Sequence, residues 1–221
     1  MKVKLKAVSE PVDGFDESIG NVMELIAFCA RVSNPANQNN SKTSENLLKY
    51  LLKHKHWSPF EMASATLEIE TTRDIARQLL RHRSFSFQEF SQRYSDPADM
   101  GDAFVLREAR LQHPTNRQAS IESDNEAVEK MWLAKQSQVI HEAKMAYNWA
   151  IENGIAKEQA RVVLPEGNTK SRLYVSGTIR SWIHYIEVRT EEGTQKEHRL
   201  LAKEVAYAIS RVFPMAEDFI Q

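Results

Sequence analysis

Polar and apolar positions mostly alternate through residues 2–9, Lys-Val-Lys-Leu-Lys-Ala-Val-Ser, which is the period of a strand with one wet face. A second alternation around Ala65, Leu67 and Ile69, with Glu68 and Glu70 turned away, predicts a strand over residues 63–71. Residues 103–112 fit a further strand followed by a mobile connection over 113–122, and residues 171–176 fit a strand or an irregular approach to a helix. Elsewhere the apolar period lengthens to that of a helix. With Asp16 or Ser18 as cap, Val22, Leu25, Ile26 and Cys29 share one face of a helix reaching about Val32. Residues 33–40 are a loop, after which Ser44 caps a helix whose stripe is Leu47, Leu48, Leu51 and Leu52. Thr72 opens another, with Ile75, Ala76, Leu79 and Leu80 aligned. The longest runs from a cap at Asp124 to Asn153-Gly154, where glycine supplies the stop. Its stripe of Val128, Trp132, Val139, Ala143, Ala146 and Ala150 serves a core or a subunit contact. A short helix over 156–164 stops at Pro165, one from about Thr178 buries Ile179, Trp182, Ile183 and Ile186, and a last one capped by Thr194 spans 195–212.

These elements predict an α+β fold, rich in helix, with a small, mainly antiparallel sheet flanked by long helices. No internal repeat, linker or low-complexity tract divides the chain, so residues 1–221 are expected to form a single domain. That length suffices to bury a core without staples. A formal net charge of −1 supplies no global field for nucleic acid or an anionic membrane, so anion binding must be local. The only cysteine, Cys29, excludes an intramolecular disulfide and, with no signal peptide or membrane span visible, points to the cytoplasm. Cys29 lies in an apolar helical run that disfavours its thiolate, so a structural role outweighs a nucleophilic one.

Chemistry concentrates in residues 81–94, Arg-His-Arg-Ser-Phe-Ser-Phe-Gln-Glu-Phe-Ser-Gln-Arg-Tyr. Arg81, Arg83 and Arg93 offer forked donors suited to phosphate, Ser91 adds a hydroxyl, and Phe85, Phe87 and Phe90 can exclude water or support a ring. Helical spacing sets Gln78, Arg81 and His82 within about 100° of one another on a face leading into this stretch. Arg161 interrupts the apolar run Ala160, Val162, Val163, Leu164, as a snorkelling side chain or an anion ligand does. Arg180, His184 and Glu187 line up at i, i+4 and i+7. His54 and His56 near Glu61 invite a metal reading, but no further ligand clusters with them and no metal is expected. Neither a Gly-x-Gly-x-x-Gly run nor a phosphate-binding loop with lysine occurs.

Arg81-His82-Arg83, seven residues, then Ser91-x-Arg93 resembles the signature of the flavin-dependent thymidylate synthases, and the likeness extends from about Ala30 to Glu197. The resemblance implies a fold of the family's own, unrelated to Rossmann folds, assembled as a homotetramer with sites shared between subunits. It implies methylation of dUMP to dTMP with 5,10-methylenetetrahydrofolate as carbon donor, FAD as redox cofactor and NADPH as reductant, without a cysteine nucleophile. By resemblance dUMP is held by Gln78, Arg81, Glu89, Phe90, Ser91, Gln92, Arg93, Arg161 and Arg189. FAD is met by Ser33, Ser58, Glu61, Arg81, His82, Arg83, Ser84, Glu89, Thr178, Arg180 and His184, with His56 in the folate and flavin neighbourhood. The family's His-x-x-Pro-Phe-Glu turn corresponds to residues 56–61, and its Ala-Arg-x-Val-Leu-Pro to residues 160–165. Gly193 stands near where some members carry a flavin-contacting histidine.

Without a thiol adduct, C5 of uracil becomes nucleophilic if negative charge is drawn towards N3 and O4. A fixed guanidinium in a dry site does this, and Arg189 is expected to be that catalytic group. Ser91 as a covalent nucleophile is weaker, since no suitably spaced histidine would activate it. Two other classes fit parts of the pattern. Interleaved arginine and phenylalanine over 81–94 also suit a single-stranded nucleic-acid-binding module, although the charge balance argues for no nucleic-acid partner. An NADPH-oxidising flavoprotein without methyl transfer would share the flavin residues.

Overall fold

The computed structural model describes residues 1–12 and 19–221. The expected caps Asp16 and Ser18 lie outside the described residues. Four strands form an antiparallel sheet in the order β1 (Lys2–Val8), β2 (Ser64–Thr72), β6 (Lys170–Thr178), β3 (Ser86–Glu89). Leu5 sits opposite Leu67, and Leu67 opposite Val175, so one face presents Leu67, Ile69, Leu173 and Val175, all fully buried. The other face carries Glu68 and Glu70, matched by Lys4, Lys6, Arg172 and Tyr174. A register shift between Leu5 and Ala7 marks a bulge in the edge strand β1.

Helices α6 (Ile179–Thr190) and α7 (Lys196–Ser210) cover the apolar face, with α1 (Val22–Ala30) and α2 (Ser44–Lys53) packed at one end. Trp182, Tyr185, Phe60 and Phe213 are buried whole, and each such side chain contributes roughly 1.5–3 kcal/mol or more of hydrophobic free energy. The Thr178 hydroxyl caps α6 by accepting from the Ser181 amide. At α1, α2, α4 (Glu126–Glu152) and α7 the cap falls one residue or a few away from the expected position, at Asn21, Thr43, Asn125 and Gln195.

Three expectations are corrected. Residues 86–89, within the 81–94 stretch where the pattern predicts no strand, form β3, because their backbone groups find partners along β6. The strand expected over 103–112 shrinks to β4 (Arg110–Gln112) plus an isolated bridge from Phe104 to Thr169. The connection over 113–122 is not loose throughout: β5 (Ser120–Glu122) folds back on β4 as a hairpin. The longest helix, α4 (Glu126–Glu152), does not lie on the main core. It buries Tyr147 and Ala150 against Ala160 in a separate small cluster beside α5 (Lys157–Ala160). The predicted stripe divides: Ala143 and Ala150 are buried, whereas Val128, Trp132 and Val139 are exposed.

Candidate active site

Helix α3 (Arg73–Leu79) starts where β2 ends and delivers the polar face that the spacing predicts. Its extension brings His82 to Arg189 on α6: the guanidinium Nε donates to His82 Nε2 at 2.8 Å. A guanidinium can only donate, so His82 accepts at Nε2 and holds its proton at Nδ1. Burial, then the charges of Arg189 and His184, lower the His82 pKa from 6.5 to about 4, so the ring is neutral near pH 7. Tyr185 packs edge-on against it with ring centroids 5.1 Å apart, and burial pushes its phenol far above the ordinary range. Arg189 is thus clamped by a neutral imidazole, with its charge uncompensated by any carboxylate among the described residues.

Arg81, Arg83 and Arg161 likewise carry no acidic partner among the described residues. The structural arginines differ: Arg172 binds Glu70 at 2.6 Å, Arg107 binds Asp74 at 2.7 Å, and Arg110 binds Glu197 at 2.6 Å. Arg81 and Arg83 are exposed and Arg161 is half-buried, and guanidinium groups left without a carboxylate are free to meet an anionic ligand.

Two clefts collect some of the predicted residues, while Gln78, Arg81, His82, Arg83, Ser91, Arg93 and Arg189 line neither. The first, of about 480 Å³, is lined by Glu61, Ser84, Arg180 and His184, with Lys55, Trp57, Ser181 and Glu187. Arg180 pairs with Glu61 across it. Lys55 and Arg180 supply cations for a diphosphate and Trp57 an aromatic wall, so the donor set fits part of a flavin dinucleotide. Thr178 lies at its edge through a hydroxyl contact with Ser181 of 3.1 Å. Ser33 and Ser58 are exposed and do not line this cleft, and His56 stands outside it with its ring facing Tyr50 and His54. Gly193 is exposed, with open space around its Cα.

The second cleft, of about 360 Å³, holds Gln92 and Arg161 together with Arg73, Arg77, Glu158, Gln159 and Glu166. Gln92 is buried, and its Nε2 has no hydrogen-bond partner, which suits a missing acceptor. Arg93 reaches Glu158 at 3.4 Å. Glu89 serves the scaffold: it accepts from Ser171 Oγ at 2.8 Å and pairs with Arg73 and Arg77 at 3.4 and 3.7 Å. Phe90 is half-buried, its amide bonded to the Arg172 carbonyl beside β6. Among the described residues Ser91 Oγ receives only the Arg93 amide, at 3.3 Å, and has no side-chain base bonded to it. No residue lines both clefts.

Sequence reasoning missed Arg73, Arg77, Tyr185, Gln195, Glu197 and His198. Arg73, Arg77 and Arg81 recur every fourth residue, a ridge along one side of α3 that could have been seen. His198 carried no local signal. Phe85 is buried between the Trp182 and Tyr185 rings, with centroids 4.3 and 6.0 Å away, so it forms no stacking platform for nucleic-acid bases. Cys29 is half-buried on α1, lines neither cleft, and has its thiol pKa raised by burial. Among the described residues no cluster of three or more His, Cys, Asp or Glu is placed to hold a metal, and no helix is long and apolar enough to cross a membrane.

The chain has relatives among known proteins. The chain is 49% identical over 214 residues to a probable flavin-dependent thymidylate synthase of Paramecium bursaria Chlorella virus 1, covering 97% of this chain and 96% of that one. It is 45% identical over 213 residues to the flavin-dependent thymidylate synthase of Synechocystis sp., covering 96% and 94%. Its fold matches that of the UMP/dUMP methylase PolB from Streptomyces cacaoi, solved with 5-Br dUMP, with a TM-score of 0.80 at 26% identity over 99% of this chain and 93% of that one. The family model described as thymidylate synthase complementing protein matches residues 18–215, and the chain belongs to that family, the flavin-dependent thymidylate synthases.

Proposed function

We propose that this protein methylates dUMP to dTMP, taking the carbon from 5,10-methylenetetrahydrofolate, with FAD as redox cofactor and NADPH as reductant. The observation that carries the reading is Arg189, a guanidinium clamped by neutral His82 and left without a carboxylate. Bound FAD would supply the reducing equivalents that turn the transferred one-carbon unit into a methyl group. The chain's own residues orient and polarise. Arg189 draws the developing charge of the pyrimidine towards N3 and O4, so that C5 attacks without a thiol adduct. Neutral His82 fixes the fork of Arg189 and leaves its charge undiminished. Arg81, Arg93 and Arg161, with Ser91 and Gln92, hold the nucleotide's phosphate and ring polar groups. The cleft at Glu61, Ser84, Arg180 and His184 takes part of the flavin dinucleotide.

The residues assigned to dUMP divide between parts of one chain: Arg189 bonds His82, Gln78 is linked through His198 to Tyr185 beside that histidine, and Gln92 and Arg161 line the second cleft. A homotetramer in which each nucleotide site draws on two subunits accounts for this division and for the exposed face of α4. The single domain spans residues 1–221. The purified protein is expected to bind FAD with a flavin absorbance spectrum and, given dUMP, methylenetetrahydrofolate and NADPH, to form dTMP. A colourless protein that ignores added FAD would overturn the reading. NADPH consumption with no dTMP would reduce it to a flavoprotein oxidase.

A further inference from the structure

Behind Gln78 a line of polar groups runs from Tyr185 through His198, Gln78 and Gln195 to Glu197. Its contacts are Tyr185 Oη to His198 Nε2 at 3.1 Å, His198 Nδ1 to Gln78 Oε1 at 3.1 Å, Gln78 Nε2 to Gln195 Oε1 at 2.8 Å, and Gln195 Nε2 to Glu197 Oε2 at 2.9 Å. Arg110 donates to Glu197 Oε1 at 2.6 Å. His198 and Tyr185 are fully buried. Burial works against ionisation of Glu197, but the bonds from Arg110, from the backbone and from Gln195 outweigh it and hold the pKa below its ordinary value.

The polarity of the whole line follows from that one charge. An ionised carboxylate only accepts, so Gln195 turns its amide nitrogen to Glu197 and its oxygen to Gln78. Gln78 must then donate to Gln195 and turn its oxygen to His198. His198 must donate from Nδ1, which leaves Nε2 bare to accept the Tyr185 hydroxyl. We propose that Glu197 and His198 are positioning residues that lock the Gln78 amide in one of its two orientations. Resting on the reading in which Gln78 contacts dUMP, this leaves Gln78 one N–H and one lone pair for the nucleotide, always in the same order.

The test exploits Arg110. In Glu197→Gln the arginine claims the new amide's oxygen, so its nitrogen faces Gln195, and every bond in the line reverses. Nitrogen-15 spectra of histidine-labelled protein read the outcome directly. Wild-type His198 is expected to be protonated at Nδ1 and bare at Nε2, and the variant to show the opposite tautomer. With Gln78 inverted, the KM for dUMP should rise about tenfold, the cost of one or two misdirected hydrogen bonds, with kcat changed far less. A wild-type His198 protonated at Nε2 or on both nitrogens would overturn the proposal, as would a variant that keeps the wild-type tautomer. Reversed tautomers with an unchanged KM would remove the positioning role. The expected tautomers in a wild-type protein that turns over no dUMP would support the locked line and overturn the dUMP reading instead.

Discussion

A guanidinium can bind a nucleotide or activate it, and the two roles separate in kinetics. The contact from Arg189 strengthens as charge develops on the ring, so Arg189→Ala should lower kcat by roughly a hundredfold, about 3 kcal/mol. Arg189→Lys should rescue poorly, since a point charge cannot use the planar fork that His82 holds. Arg161→Ala should chiefly raise the KM for dUMP, because an anchor serves ground and transition states alike. Single-turnover methylation of saturating dUMP checks both, and wild-type speed in Arg189→Ala would move the activating role elsewhere. Cys29→Ala should leave turnover intact, because the thiol is half-buried, lies away from both clefts and is disfavoured as thiolate. Two histidines predict the acid response. His82 and His198 have native pKa values of about 4 and about 3, set first by burial, against 6.5 in the unfolded chain. As pH falls below 6.5 the unfolded chain gains protons that the native state refuses. Stability from these groups is therefore complete above pH 6.5 and is lost towards pH 4 and 3. Melting temperatures from pH 7.5 to 4.5 should fall less steeply in His198→Gln than in wild type, and equal slopes would show that His198 is not held neutral.

At the scale of elements, β6 meets the turn before β3 through one close approach. A Cβ on Gly177 would stand 2.3 Å from Phe85 Cδ1, and that ring is boxed in by Trp182 and Tyr185. Gly177→Ala should therefore cost about 1–3 kcal/mol, as overpacking does, and a urea midpoint equal to wild type would contradict the tight fit. The sequence carried the period of β1, β2 and α6 plainly, because in each an apolar side meets one continuous core and the pattern repeats without interruption. Residues 86–89 gave no such sign. Ser86 and Gln88 are exposed, while Phe87 and Glu89 are half-buried, and what makes them a strand is β6, some eighty residues further on. The β4–β5 hairpin was hidden for the same reason: it is held by Arg110 to Glu197 and Lys196 to Glu122, ion pairs of long sequence separation. Among the candidate site arginines only Arg161 carried a local sign, because an arginine interrupting an apolar run needs an explanation, whereas Arg81 and Arg189 rested on the resemblance. The line through His198 was not legible, because a histidine facing the core of α7 looks like any other buried polar residue until its partners are placed around it.

For the whole molecule, the question is what covers α4 and completes the clefts. Met131 and Trp149 on this helix are each 60% exposed, and Trp132 and Val139 are exposed as well, four large apolar side chains that a partner surface would cover. The proposed tetramer uses that face and brings the Arg161 cleft of one subunit to the Arg189 network of another. Subunit mixing tests this with lesions from opposite halves of the site. Arg161→Ala and Arg189→Ala should each be nearly inactive at low dUMP. In hybrid tetramers assembled from equal amounts, a site is intact when its Arg189 comes from the Arg161→Ala subunit and its Arg161 from the Arg189→Ala subunit. Independent assortment makes this about a quarter of all sites in a closed symmetric assembly, so about a quarter of wild-type activity should return. Arg81→Ala with Arg189→Ala is the control pair, because Arg81 directly precedes His82, the residue that clamps Arg189, and both lesions then fall in the same half. Recovery in the first mixture and none in the control identifies the composite site. No recovery in either, or a fully active monomer by light scattering at assay concentration, would require Arg161 and Arg189 to serve one nucleotide within a single chain.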